Sequence, residues 1–246
     1  MDLNSKKKHF NKHGVVVFRN LVPRNLIDKC LSDLSKYKIK RLEKKNKHIV
    51  IDKYKSKKYI RYFQHLNFYI KSFNIFFNST LLDISSFLLD DKAYYSSINY
   101  HNKIPGGSGT PPHQDNFYWC RKPDKALTAY IALNHQNNKN GGIKYYSGSH
   151  LGKILRHEKS NVKGFSSYIS NENLPNSKIF NTFLNPGDVI FHHCNVIHEA
   201  SKNNHKNKSR QAIALAIFSF KSRIDKKLLG KYLRNKPYVK IDKTII

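Results

Sequence analysis

Acidic residues are scarce in this chain: 16 Asp and Glu stand against 45 Lys and Arg, a formal charge of +29 at pH 7. Cysteine is scarcer still. Cys30, Cys120 and Cys194 are an odd number, widely spaced and without a CxxC pair, which excludes a zinc knuckle and a disulfide framework. Cys194 reads as a buried free thiol, and a reducing compartment fits the set. No apolar run reaches the roughly 18 residues a membrane span needs. The basic N-terminus, Met1 to Lys12, lacks the apolar stretch of a secretory signal. The expectation is a cytoplasmic protein with no membrane contact.

The positive charge has two readings. It could mark a nucleic-acid or anionic-surface partner, or it could be a lysine-rich solvated surface. Asn, Lys, Ile, Tyr and Phe are all abundant, as an AT-rich coding sequence would produce. The basic residues are spread along the chain, and no aromatic-interleaved motif of an RNA-binding sheet occurs. The solvated surface is the reading favoured, with a small molecule rather than nucleic acid as the expected partner.

Core material is present, with 15 Phe and 15 Tyr in 246 residues, enough for one well-cored domain over 1–246. Gly14-Val-Val-Val-Phe-Arg19 reads as a strand. Pro23 opens an amphipathic helix to about Lys36, with Leu26, Ile27, Cys30, Leu31 and Leu34 on one face. Residues 38–58 are lysine-dense and read as a mobile excursion. Phe68–Phe77 and Leu81–Leu89 read as helical, with Asn78 as a cap between them. From residue 93 short β-type runs dominate: Ala93–Tyr100, Ala126–Leu133, Ile143–Tyr146, Ile179–Leu184, Asp188–His192 and Gln211–Phe220. Turns at Pro105-Gly-Gly107, Asn140-Gly-Gly142 and Asn185-Pro-Gly187 separate them. This spacing predicts an antiparallel sandwich or barrel over about 93–222, with helical support over about 20–90 covering one outer face. The last segment, from Asp225, reads as a helix followed by a basic tail.

One constellation carries chemistry. His113-Gln-Asp115 lies in a segment expected to be extended, where residues i and i+2 point to the same side. Two imidazoles and a carboxylate on one face of an octahedron bind Fe(II) and leave three positions open. A lone HxD is common by chance. Here Asn185-Pro-Gly-Asp-Val-Ile-Phe191 follows as turn and strand, then His198, then Arg210 at the start of a strong strand. That return could bring His198 to the metal and place the planar Arg210 fork to take the distal carboxylate of 2-oxoglutarate.

Taken together, these pieces resemble the phytanoyl-CoA dioxygenase family of Fe(II)/2-oxoglutarate oxygenases. The likeness runs from Gly14-Val-Val-Val-Phe and Leu21-Val-Pro23, through His113-Gln-Asp115, Ala126–Leu133 and Gly141-Gly-Ile-Lys-Tyr-Tyr-Ser-Gly-Ser-His150, to Pro186–Phe191, His198 and Arg210. The resemblance implies a mainly β fold with flanking helices: a double-stranded β-helix of the jelly-roll, cupin-like type. It implies Fe(II) on His113, Asp115 and His198, 2-oxoglutarate anchored by Arg210, and further cosubstrate contacts from Tyr130 and Asn99. It also implies use of O2, with release of succinate and CO2 as an unidentified small organic substrate is hydroxylated. Ala200 stands where family members often carry a hydroxyl. Halogenases of this kind have a small residue in place of the carboxylate, so Asp115 favours oxygen insertion.

Each residue also has a plainer reading. His192 and His193 are alternatives to His198, and as strand neighbours should face opposite ways. Tyr130 could be core packing, Asn99 a backbone-satisfied strand polar, and His150 a turn hydrogen bond. Asn116, Phe117, Tyr118 and Trp119 could line the substrate pocket or simply pack. Two rival functions stand beside the oxygenase: a non-catalytic β-barrel binding module, and an oxygenase acting on nucleic acid.

Overall fold

The computed structural model describes residues 2–37, 48–162 and 164–235. The front half holds α1 (Leu3–His13), β1 (Val15–Phe18), α2 (Arg24–Lys36), β2 (Ile49–Tyr54), β3 (Lys57–Phe63), α3 (Leu66–Tyr69) and α4 (Ser79–Leu89). Then come β4 (Ala93–Lys103), β5 (Thr110–His113), α5 (Asp115–Trp119), β6 (Arg121–Lys122), β7 (Ala126–Ala132) and β8 (Ile143–Tyr146). The chain continues through β9 (Glu158–Lys159), β10 (Ser167–Tyr168), β11 (Ile179–Asn181), β12 (Val189–His193) and β13 (His198–Ala200). It closes with β14 (Arg210–Ser219), β15 (Arg223–Ile224) and α6 (Lys226–Asn235).

Two antiparallel sheets form a jelly roll. The major sheet runs β1-β12-β7-β14-β4-β3-β2, and the minor sheet runs β11-β8-β13-β5. β7 lies mid-sheet and is buried along its whole length, so its two faces can be told apart by what they carry. Leu127, Ala129 and Ile131 join the main hydrophobic cluster, as do Val189 and Phe191 of β12 and Ile213, Leu215 and Ile217 of β14. The same cluster takes Phe10 of α1, Ile27, Cys30 and Leu34 of α2, and Leu81 and Leu88 of α4. Each fully buried side chain of this size contributes about 1.5–3 kcal/mol relative to exposure, which is why the helices stay on this face. The opposite face of the major sheet carries Thr128, Tyr130, His192, Arg210 and Ala212 and looks toward the minor sheet.

The expected strand of 14–19 and the helix after Pro23 form as β1 and α2. Asn78 caps α4, its side chain accepting from Leu81 N–H at 3.0 Å. The basic N-terminus forms a helix, α1, capped by Asp2 and ended by Gly14 at φ 75°. Beyond the left-handed φ, a Cβ at Gly14 would lie 2.6 Å from His150 Nδ1, so glycine is required twice over.

Of the lysine-dense stretch read as a mobile excursion, 38–47 lies outside the described residues; from Ile49 the chain is the β2–β3 hairpin. That hairpin joins the major sheet through Tyr62↔His101 and Phe63↔Tyr100. Its lysines obscured the β-type residues Ile49, Val50, Ile51, Tyr59, Ile60 and Tyr62. Lysine on an edge strand such as β2 also opposes edge-to-edge aggregation. The 68–77 segment is mostly a 3-10 turn, Lys71–Phe76, rather than a regular helix. The strand expected over 179–184 stops at Asn181, and Leu184 makes only an isolated bridge to Gln136. Asp225 is followed by α6 as expected, and the tail beyond 235 lies outside the described residues.

No helix among the described residues is long and apolar enough to cross a membrane.

Candidate metal and cosubstrate site

β5 ends at His113, Gln114 is still extended, and Asp115 begins the short α5. The HxD segment is therefore not one strand, as its sequence implied; a strand-to-helix turn brings the two side chains together. His198 opens β13, directly opposite His113 in the register of the minor sheet. His113 Nε2 and His198 Nε2 each lie 3.7 Å from Asp115 Oδ1. Among the described residues these three are the His, Cys, Asp or Glu group whose donor atoms, all within 4.8 Å of one another, could hold a metal ion.

The surrounding hydrogen bonds select the atoms that face this point. His113 Nδ1 donates to the Pro111 carbonyl at 2.8 Å, and His198 Nδ1 donates to the Val196 carbonyl at 3.1 Å. Each bond places the proton on Nδ1 and leaves the Nε2 lone pair directed at the shared centre. Asp115 Oδ2 is occupied from behind, accepting from the Thr128 hydroxyl at 2.7 Å and from His192 Nε2 at 3.1 Å. A carboxylate only accepts, so His192 carries its proton on Nε2, and its Nδ1 accepts from the Tyr145 hydroxyl at 3.0 Å. The Tyr145–His192–Asp115 chain thus leaves Oδ1 free.

Protonation states suit metal binding. Burial pushes His113 and His198 down to about 4, so both are neutral donors at pH 7. For Asp115, burial works toward a raised value, but His198 and His113, which become charged only in the acid range where a carboxylate titrates, and the His192 hydrogen bond together hold it below the ordinary carboxylate range. His193 points the other way, its ring facing Phe10 and His150. The two adjacent histidines do face opposite sides, with His192 inward.

Arg210 is buried at the start of β14. Its Nε donates to the Gly141 carbonyl at 3.2 Å and its Nη1 to the Tyr130 hydroxyl at 2.9 Å, while Tyr130 donates on to Gln136 Oε1 at 2.8 Å. No carboxylate pairs with this guanidinium among the described residues. Asn99 is placed differently: its Oδ1 accepts from His65 N–H at 3.3 Å and its amide reaches Ser97. It shares a face of β4 with His101 and Lys103 but takes no part in the arginine network.

His101, Lys103, Thr128 and Tyr145 escaped sequence reading. The available signal was polar residues at 99, 101 and 103 alternating with Ile98 and Tyr100 along one strand. Burial, then the neighbouring Arg210 charge, push His101 down to about 3.

Of the residues after the HxD motif, Tyr118 faces His113 with ring centroids 6.0 Å apart, and Phe165 lies at 5.4 Å. Phe117 stacks on His157, Trp119 packs on Phe218, and Asn116 bonds Asn195 and Arg121. His150 makes a structural hydrogen bond, Nε2 donating to the Asn11 carbonyl of α1 at 3.1 Å. A cleft of about 620 Å³ lined by Arg19, Asn20, His135 and Asp188 reaches Gln136, the outer member of the arginine network, but none of His113, Asp115, His198 or Arg210. Its Asp188 is ion-paired to Arg19 at 2.7 Å.

Fold and site together define a jelly-roll protein with a two-histidine, one-carboxylate cluster and a buried arginine that no carboxylate neutralises among the described residues. The chain belongs to the phytanoyl-CoA dioxygenase family, whose model matches residues 10–212. It is 29% identical over 122 residues to a probable alpha-ketoglutarate-dependent hypophosphite dioxygenase of Stutzerimonas stutzeri. That match covers 46% of this chain and 40% of the relative, so the chain aligns with less than half of that protein.

Among solved structures, the EctD structure from S. alaskensis with 2-oxoglutarate and 5-hydroxyectoine superposes with a TM-score of 0.72 at 18% identity. It covers 90% of this chain and 77% of its own. The epimerase SnoN from nogalamycin biosynthesis, in complex with Fe3+ and alpha ketoglutarate, gives 0.70 at 15% identity, with 90% and 85% covered. At these identities the likeness is one of fold.

Proposed function

We propose that this protein is an Fe(II)- and 2-oxoglutarate-dependent oxygenase that hydroxylates a small organic molecule, using O2 and releasing succinate and CO2. The observation that carries the reading is the division of labour at Asp115: Oδ1 faces two imidazole Nε2 atoms, while Oδ2 is held from behind by Thr128 and His192. A surface HxD pair has no reason to be so supported. His113, Asp115 and His198 would hold the iron on one face and leave the opposite face for cosubstrate and O2. Arg210, already oriented by Tyr130 and Gly141, would receive the distal carboxylate of 2-oxoglutarate.

A bound Fe(II) supplies the coupling of oxidative decarboxylation to oxygen insertion into a C–H bond. The chain's own part is to hold the three ligands in one protonation state, orient the 2-oxo acid and keep water out. The rings of Tyr118 and Phe165 beside His113 would wall the substrate space. The names of the relatives support the cosubstrate, and retention of Asp115 supports oxygen insertion.

The test is anaerobic titration of metal-free protein with Fe(II) and 2-oxoglutarate, followed by the visible charge-transfer band of the chelate. A band that forms with wild type and is lost in His198→Ala supports the reading. A folded protein that forms no band overturns it in favour of a binding module.

A further inference from the structure

Arg210 does not lie alone at its end of the site. In the β4–β14 register its partner is Lys103, so the two side chains rise from directly opposed positions on the same sheet face. Both are buried, at 4% and 6% exposure. Like charges directly opposite one another in a sheet are destabilising, and buried charges without a counter-charge are more so. Neither cation is ion-paired to a carboxylate among the described residues. The nearby Arg61 is different, since Asp52 neutralises it at 2.9 Å. Burial, then the Arg210 and Arg61 charges, push the Lys103 ammonium well below its ordinary range, and Glu199 alone opposes them.

The Lys103 ammonium is held in place. It donates to the carbonyls of Ala200 at 3.2 Å and Ser201 at 2.6 Å, at the end of the strand that begins with His198. An ammonium has three donors, so a third remains. Gly141 makes room for this arrangement: at its φ of 80° a Cβ would lie 2.7 Å from Lys103 Cδ. The Gly141 carbonyl is also the acceptor of Arg210 Nε. One glycine thus seats both cations against the same stretch of backbone.

We propose that Lys103 is a second cationic anchor for the distal carboxylate of the 2-oxo acid, acting beside Arg210. The site is then selective for a dicarboxylic 2-oxo acid through two charges rather than one, and binding supplies the negative charge this fold lacks there. This rests on the oxygenase reading above. A purely structural role for Lys103, tying down the end of β13, makes a different prediction: its loss would weaken every 2-oxo acid alike.

The experiment compares 2-oxoglutarate with 2-oxopentanoate, which has the same chain length and a methyl group in place of the distal carboxylate. Each is titrated anaerobically into the Fe(II)-loaded full chain, and the charge-transfer band yields the dissociation constant. Lys103→Met should weaken 2-oxoglutarate by about ten- to a hundredfold and leave 2-oxopentanoate unchanged. Lys103→Gln, which keeps a donor for the two carbonyls, should do the same. Arg210→Met is the reference.

If the Lys103 variants titrate like wild type while Arg210→Met weakens, the inference falls and the oxygenase reading stands. Equal weakening for both acids also overturns it. No band in wild type defeats both readings together. Should the variants fail to fold, an anaerobic crystal structure of wild type with Mn(II) and 2-oxoglutarate decides. A distal carboxylate within hydrogen-bonding distance of Lys103 Nζ supports the inference, and one bound by Arg210 alone refutes it.

Discussion

Replacing His192 with Phe should weaken metal binding without touching a ligand. His192 is buried, and its Nε2–H donates at 3.1 Å to Asp115 Oδ2, the oxygen turned away from His113 and His198. A hydrogen bond to a charged group contributes about 1.5–3 kcal/mol. At about 1.4 kcal/mol per tenfold, its loss corresponds to roughly ten- to a hundredfold in affinity. That agrees with the typical effect of removing a partner that orients a metal ligand, about 10–100-fold. Thr128 still holds Oδ2 at 2.7 Å, so the lower half of the range is expected. Phe fills the ring volume, which limits the cost in packing. Tyr145→Phe acts only through His192 and should cost less than about tenfold; the double variant should be no worse than His192→Phe alone. The assay is competition for Mn(II) between the metal-free protein and a chromophoric chelator. Affinity within twofold of wild type for His192→Phe would refute the argument that Oδ2 support organises the site.

Stability of the metal-free protein should fall with acid. Burial pushes His101 to about 3 and His157 and His193 to about 4, against an unfolded value of about 6.5. The unfolded chain therefore binds protons first, and stability present above about pH 6.5 is lost as pH falls toward 4. A urea midpoint that stays level or rises from pH 7.5 to 4.5 would contradict this. Phe191→Ala, fully buried between the helices and the major sheet, should cost about 3–5 kcal/mol by urea denaturation; a loss below 1 kcal/mol would mean this face is not the core. Binding to single-stranded DNA should show a steep salt slope and vanish by about 0.15 M salt. Retained affinity there would return nucleic acid to the substrate candidates.

Much of this protein was legible in its residues. Short β-type runs separated by Gly/Pro turns from 93 onward determined a β sandwich, because strands of that length and spacing must pair side by side to satisfy their backbone hydrogen bonds. Apolar spacing after Pro23 and the Asn78 cap determined α2 and α4. The order His113, Asp115, His198, Arg210 pointed to the chemistry, since those side chains suit a metal and a carboxylate wherever the chain brings them together. Local pattern failed where lysine was dense: the β2–β3 hairpin hid behind residues that reflect edge-strand solvation rather than packing. It also misjudged Asp115, which converges with His113 through a strand-to-helix turn.

The motif order favoured His198 over His192 beside the metal, but only the tertiary structure decided that His192 supports Asp115 from behind. His192 and His198 are chemically identical in the sequence; strand register puts one behind the carboxylate and the other across from His113. It alone set Lys103 opposite Arg210, because cross-strand pairing joins residues more than a hundred positions apart and no local property encodes that distance.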